Sequence, residues 1–398
     1  MPLEGMRGLA ALQVVFAHYA SVFFPAIARI VPGEEGTLGL RLARSPLFFL
    51  LDGGVAVFSF FLMSGFVLGL SFLRSDLPMP RQVAKRFVRL YLPVLAALAL
   101  ALVLLTLWPR LGLRMQVFNG SDWLRGLHLF SPGRTATVYQ DVLLNSMLLG
   151  YAGASIFRFF DTAAVGLPLV GLGHALDPPL WTLHIEFWGS LLTLAMAQAY
   201  RRLRRPAFWA VYALALVATA GGAFSLFLIG FAAGLFRDRL TGRDHAPLRG
   251  LFAVLALAGA VALSGYSPLM PFVGLQIEKE LAAVLVFGAV LVAPWLDRLL
   301  SARPLAWLGG LSFGLYLTHF PILFTLSILL FLGLQPSFGA LPAALAATAV
   351  GIAVSIGVAA AFEQLVDWPA IGLAARIGSG PPVPVTPAGG RSPGANPR

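Results

Sequence analysis

The stretch MRGLAALQVVFAH, residues 6–18, is nearly all apolar, yet it opens on Arg7 plus one methionine and closes on His18. Arg7 and His18 are eleven residues apart. Three helical turns take about 10.8 residues, so in a helix the two side chains share a face. At about 1.5 Å per residue, His18 lies roughly 16 Å deeper along the axis than Arg7. If this helix enters a membrane, the imidazole sits near mid-bilayer. A polar group there is costly unless it faces a cavity or a partner. Neutral imidazole is the natural general base near neutral pH. The alternative role is a structural hydrogen bond to a neighbouring helix.

Composition supports the membrane. Of 398 residues, 58% are hydrophobic and only 11% charged, against about 25% charged in soluble domains. The mean hydropathy is +0.83. The class expected is all-α, a polytopic helix bundle embedded in membrane lipid. Candidate spans are 8–28, 47–73, 89–108, 180–200, 206–221, 223–236, 250–266, 281–296, 310–334 and 340–362, about ten transmembrane helices. The net charge of +11 is almost all arginine, since Lys85 and Lys279 are the only lysines. A soluble protein so basic would suggest nucleic acid. Here the arginines cluster in short links between apolar runs, as orientation signals do, and no nucleic-acid partner is expected. The chain has no cysteine, which excludes disulfides and thiolate chemistry. The first apolar run lacks a basic n-region and a small-residue cleavage site, so it is expected to stay as a helix.

The links at 73–89, 201–206, 237–249 and 297–304 carry a basic excess and fall on the N-terminal side of a ten-span count. The positive-inside rule then places both termini in the cytoplasm of a multi-pass protein of the inner cell membrane. The long connection 109–179 holds apolar pieces at 142–157 and 162–173. Each is too short to span comfortably, and they are expected to be interfacial or re-entrant. Residues 1–368 form one transmembrane domain. Residues 369–398 form a Pro/Gly-rich cytoplasmic tail, expected to be disordered.

Four further stretches put polar groups inside or at the edge of apolar runs. In PPLWTLHIEFWGS (178–190), Pro178 and Pro179 suit a helix start, and Glu186 falls about two turns inside. A buried carboxylate needs a partner, which His18 or an arginine would supply. His184 points elsewhere on that helix and is expected at the interface. In LGGLSFGLYLTHFP (308–321), His319 lies about as deep as His18, with Tyr316 one turn earlier on the same face. In KRFVRLYLP (85–93), Arg86 and Arg89 are helix neighbours, and paired guanidinium forks match phosphate geometry. FFLMSGFVLG (60–69) places Ser64 beside Gly65. It lacks the G-x-S-x-G frame, so Ser64 is read as a packing or substrate-contacting residue and not as a nucleophile. No metal-ligand spacing appears, and no metal is expected.

In their order along the chain these stretches resemble the acyltransferase 3 family of membrane O-acyltransferases, across roughly residues 2–368. The motif of an arginine, ten residues and a histidine is the most specific. The resemblance implies transfer of an acyl group, acetyl by expectation, from cytoplasmic acyl-CoA (acetyl-CoA) to a hydroxyl of a cell-surface glycan or other glycoside. It implies catalytic roles for Arg7, His18, Glu186 and His319, donor binding by Arg86 and Arg89, and substrate contacts from Trp181, Tyr316 and Ser64. Departures are Thr182 where the family has serine, Phe187 where a second acid is usual, and Glu4 in place of aspartate. On this reading Glu186 fixes the tautomer of His18. The alternative from another class is a proton-coupled transporter or glycan flippase using the same groups as a relay. Its internal repeats are not evident.

Overall fold

The computed structural model describes residues 2–127, 135–157, 160, 162–241, 246–266 and 277–378. Among these there is no strand, only an isolated bridge between Ala152 and Gly171. The helices that build the site are α1 (Pro2–Phe23), α2 (Gly53–Arg74), α3 (Met79–Leu107), α4 (Trp181–Arg202), α5 (Ala223–Leu235), α6 (Ala246–Tyr266), α7 (Ile277–Val292), α8 (Arg303–Ile322), α9 (Ala340–Phe362) and α10 (Trp368–Gly378).

Each of the ten apolar segments is helical, but the count of ten spans does not carry over. Among the described residues, five helices are long and apolar enough to cross a membrane: α2, α3, and the helices Leu248–Gly265, Arg303–Phe338 and Ala340–Ile377. A sixth is gained if α7 and Pro294–Leu300, bent by 95° at Ala293, count as one span. Arg205–Thr219 and α5, at 15 and 13 residues, are short for roughly 30 Å of hydrocarbon. Two others, α1 and α4, have 22 residues each but carry Glu4, Arg7, Gln13 and His18, or His184 and Glu186, along their length. These two helices carry Arg7, His18, Trp181 and Glu186 of the expected site.

Packing depends on close backbone approach. A Cβ on Gly65 of α2 would fall 2.1 Å from the carbonyl oxygen of Phe227 on α5, and one on Gly230 the same distance from that of Leu62. At the α1–α8 crossing, a Cβ on Gly309 would lie 2.1 Å from the Glu4 carbonyl oxygen. Such contacts need small residues, as in membrane helix pairs generally. The Arg303 helix continues through a π-helical turn (Leu323–Ser327) to Phe338, and a second such turn, Glu363–Asp367, joins α9 to α10. Turns of this kind re-aim side chains and recur at functional sites. Residues 369–378, assigned from sequence to the tail, are helical in α10, which packs along α3. Residues 379–398 lie outside the described residues.

The longest described helical segment of the connection 109–179 runs from Thr135 through a π-helical stretch to Leu149. The connection folds back on the bundle: Trp188 Nε1 donates to the Leu148 carbonyl (3.0 Å), and the Ile156 amide donates to His184 Nε2 (3.1 Å). His184 is therefore fully buried and not interfacial, because the folded connection covers its face of α4.

Candidate active site

Helices α1 and α8 run parallel and in contact, which fixes the site at two levels. Near the start of α1, Arg7 Nη2 donates to Ser312 Oγ at 3.0 Å. Three turns later His18 Nδ1 lies 2.9 Å from His319 Nε2. His319 Nδ1 is 2.9 Å from the Leu315 carbonyl oxygen. A carbonyl only accepts, so with both rings neutral His319 carries its proton on Nδ1. Its Nε2 is then an acceptor, His18 must donate from Nδ1, and the lone pair of His18 is left on Nε2. The histidines, brought together from positions 301 residues apart, form a relay that ends in a free base.

Glu186 is not the partner of His18. Its carboxylate Oε1 accepts from Arg86 and from Ser64 Oγ (2.8 Å). The expectation that Glu186 sets the His18 tautomer gives way to His319, because Arg86 on α3 and Ser64 on α2 take the carboxylate on the face of α4 that looks toward α1 Arg7. The Arg86–Glu186 pair is largely buried. Arg89 is held from α10's side: its Nη2 donates to Asp367 Oδ2 at 3.0 Å. Arg7 differs from both. Among the described residues no carboxylate lies within ion-pair distance of it, and Ser312 takes only one of the five N–H groups of its fork.

Two cavities follow from this arrangement. One, of about 240 Å³, is lined by Arg7, Arg86, Arg89, Ser64 and Glu186 with apolar walls that include Phe60, Phe61 and Phe313. The other, of about 100 Å³, contains His18, Trp181, Asp52 and Lys279. Tyr316 and Val57 line both. The Tyr316 hydroxyl donates to the Pro179 carbonyl at 2.7 Å and lies 2.6 Å from Thr182 Oγ1, so the wall between the cavities is pinned to the start of α4. Chain direction places the cavities at opposite ends of the bundle. Leu3 and Arg7 of α1 and Val67 and Leu68 of α2 line the first; Ala17 to Ser21 of α1 and Gly53 and Gly54 of α2 line the second.

The residues expected from sequence thus sort into two groups. Arg7, Arg86, Arg89, Glu186 and Ser64 meet at one end; His18, His319 and Trp181 meet at the other; Tyr316 stands between. Several partners were not foreseen: Ser312, Asp367, Asp52, Lys279, and the buried pair Asp141 and Asp177 in the 109–179 connection. Asp141 accepts from Tyr151 Oη (2.6 Å) and from the Leu176 amide (2.8 Å), whereas neither oxygen of Asp177 has a partner. Burial, and then the charge of Asp141, push Asp177 well above the usual carboxylate range. Lys279 had a signal in the sequence, as one of two lysines and at the head of an apolar run. The acidic partners had none, because pairs across helices leave no local pattern.

A family model described as an acyltransferase domain, acyltransferase 3, matches residues 3–360. No curated protein and no solved structure matches the chain.

Proposed function

The chain belongs to the acyltransferase 3 family, an acyltransferase family, and from that premise we propose that it is a membrane O-acyltransferase using acyl-CoA as donor. The acyl group, acetyl by expectation, passes to a hydroxyl of a cell-surface glycan or other glycoside. The arginine cavity receives the donor. Arg7 brings an unpaired fork suited to phosphate or to a polarised carbonyl. Arg86 and Arg89 are set in place beside it by Glu186 and Asp367. The basic links and this cavity lie toward the same end, which is read as cytoplasmic, with both termini there.

His18 acts as general base. Its Nε2 takes the acceptor's hydroxyl proton as that oxygen attacks the thioester carbonyl. The tetrahedral centre collapses with cleavage of the carbon–sulfur bond, and the imidazolium returns its proton to the departing thiolate. The products are an ester and free CoA. His319 keeps His18 in the tautomer this requires and shares the positive charge as it develops. The observation that carries the reading is this His18–His319 relay, in a chamber that shares Val57 and Tyr316 with the arginine cavity.

The test is release of free CoA by purified protein in lipid nanodiscs, given acetyl-CoA with and without an envelope glycan extract. Extract-dependent release with label appearing on the glycan supports the reading. Transport of glycan across vesicles with no CoA release overturns it in favour of a transporter.

A further inference from the structure

The smaller cavity holds a group that the chemistry above does not use. Lys279, on the first turn of α7, is largely buried and lines the same chamber as His18. Its ammonium lies 3.7 Å from Asp52 Oδ1, too far for a hydrogen bond, and no other described residue accepts from it. Asp52 is already engaged. Its Oδ1 accepts from the Val55 amide at 3.3 Å and its Oδ2 from Ser264 Oγ at 2.7 Å. Lys279 is therefore paired in charge with Asp52, but among the described residues none accepts a hydrogen bond from its three N–H groups.

Arg29, also in the lining, adds a second positive charge; it stacks over Phe48 at 3.6 Å and donates to the carbonyls of Ala43 and Ser264. Three helices, α2, α4 and α7, start at this chamber through Gly53, Trp181 and Lys279, and helix N-termini favour negative charge. Against these donors the one basic lone pair that the site chemistry leaves open is His18 Nε2. A neutral sugar brings donors and acceptors in balance. Among the described residues the lining sets two cations, Lys279 and Arg29, against the single carboxylate of Asp52, and a chamber with one base and that surplus of positive charge fits a hydroxyl that stands beside an oxygen-rich anion.

We propose that the His18 chamber is the acceptor site and that Lys279 selects acceptors whose reacting hydroxyl is flanked by an anionic group, a carboxylate or a phosphate. This rests on the transferase reading above. The hydroxyl meets His18, and the anion meets Lys279.

Competition tests it without knowing the natural acceptor. Purified protein transfers labelled acetyl from acetyl-CoA to an envelope glycan extract in the presence of methyl glucoside, methyl glucuronide or methyl glucoside 6-phosphate. The expected result is inhibition by one or both anionic forms at concentrations at least tenfold lower than by the neutral one. Whichever form is effective names the carboxylate or the phosphate. Lys279→Met should lose that advantage and Lys279→Arg should keep it. Because Lys279→Met strands the buried Asp52 carboxylate, the neutral pair Asp52→Asn/Lys279→Met carries the same expectation in a fold with no uncompensated charge. Equal inhibition by all three, inhibition by none, or an anion advantage that survives in the neutral pair overturns the proposal while leaving the transferase reading intact. No label transfer to the extract by the wild type overturns that reading and this one with it.

Discussion

The two chambers are built from the same helices and differ in how their charges are held. At the arginine end, two of three cations are tied to carboxylates from other helices, and Arg7 alone has no carboxylate within ion-pair distance among the described residues. At the histidine end, the key groups are uncharged rings in a relay, with one lysine loosely set against an aspartate. A buried ion pair costs desolvation on both partners and gains most from geometry. On the proposed reading it fixes guanidinium forks for a highly charged donor. A neutral relay costs less and leaves a lone pair available, which a general base requires. The proposed division follows chemistry: binding by fixed charge at one end, proton transfer by neutral rings at the other.

That contrast breaks most directly at His18. His18→Ala should lower turnover by about 10²–10⁴-fold, the usual range for a lost general base. Acyl-CoA binding, measured by isothermal titration, should be unchanged, since the arginine cavity is intact. Activity above one-tenth of wild type would remove the base from the histidine end. His319 comes next. Hydrogen bonds to groups that become charged are worth about 1.5–3 kcal/mol, so His319→Leu should lower kcat by roughly 10–150-fold. His319→Gln, which can present an acceptor to His18 Nδ1–H, should recover part of that. If Leu and Gln variants are equally impaired, the relay is not what matters.

The arginine end should answer in affinity. Arg7→Gln should raise the KM for acetyl-CoA by roughly tenfold, the lower range for a charge-assisted contact, with kcat little changed. Arg7 is the cleaner probe, because removing Arg86 strands the buried carboxylate of Glu186. A fall in kcat with KM unaltered would move Arg7 to the chemical step.

The smallest effect lies outside both chambers, at Asp177. Its carboxyl is protonated in the fold at pH values where the unfolded chain, titrating near about 4, has lost the proton. Its contribution to stability is therefore present at low pH and falls as pH rises from that value toward the raised one. Asp177→Asn should raise the melting midpoint at pH 7 and flatten its pH dependence, with the gain vanishing near about pH 4. A lowered midpoint at pH 7 would mean that the charged form is held by partners.

Some of this was legible along the chain. The Arg7-to-His18 spacing needs only helical periodicity, so one stretch located both chambers' principal residues. The prolines before Trp181 announced a helix start, and Glu186 inside it announced a buried charge in need of a partner. Its partner was not legible. Arg86 is 100 residues away, and no rule of spacing relates positions on different helices. The same holds for Asp367, Ser312 and Lys279. The count of ten spans is not confirmed for a related reason: by length and composition alone five or six described helices qualify, and hydropathy windows penalise the polar residues that α1 and α4 bury against neighbours.

By itself, the sequence determined that the chain is a helical membrane-type protein and which polar residues sit at depth, because hydropathy and the 3.6-residue period are properties of neighbours along a chain. Tertiary structure alone decided the pairing: His319 and not Glu186 on His18, Glu186 on Arg86, Lys279 in the same chamber as His18. Those contacts are set by how the helices pack against one another, and that depends on the whole bundle.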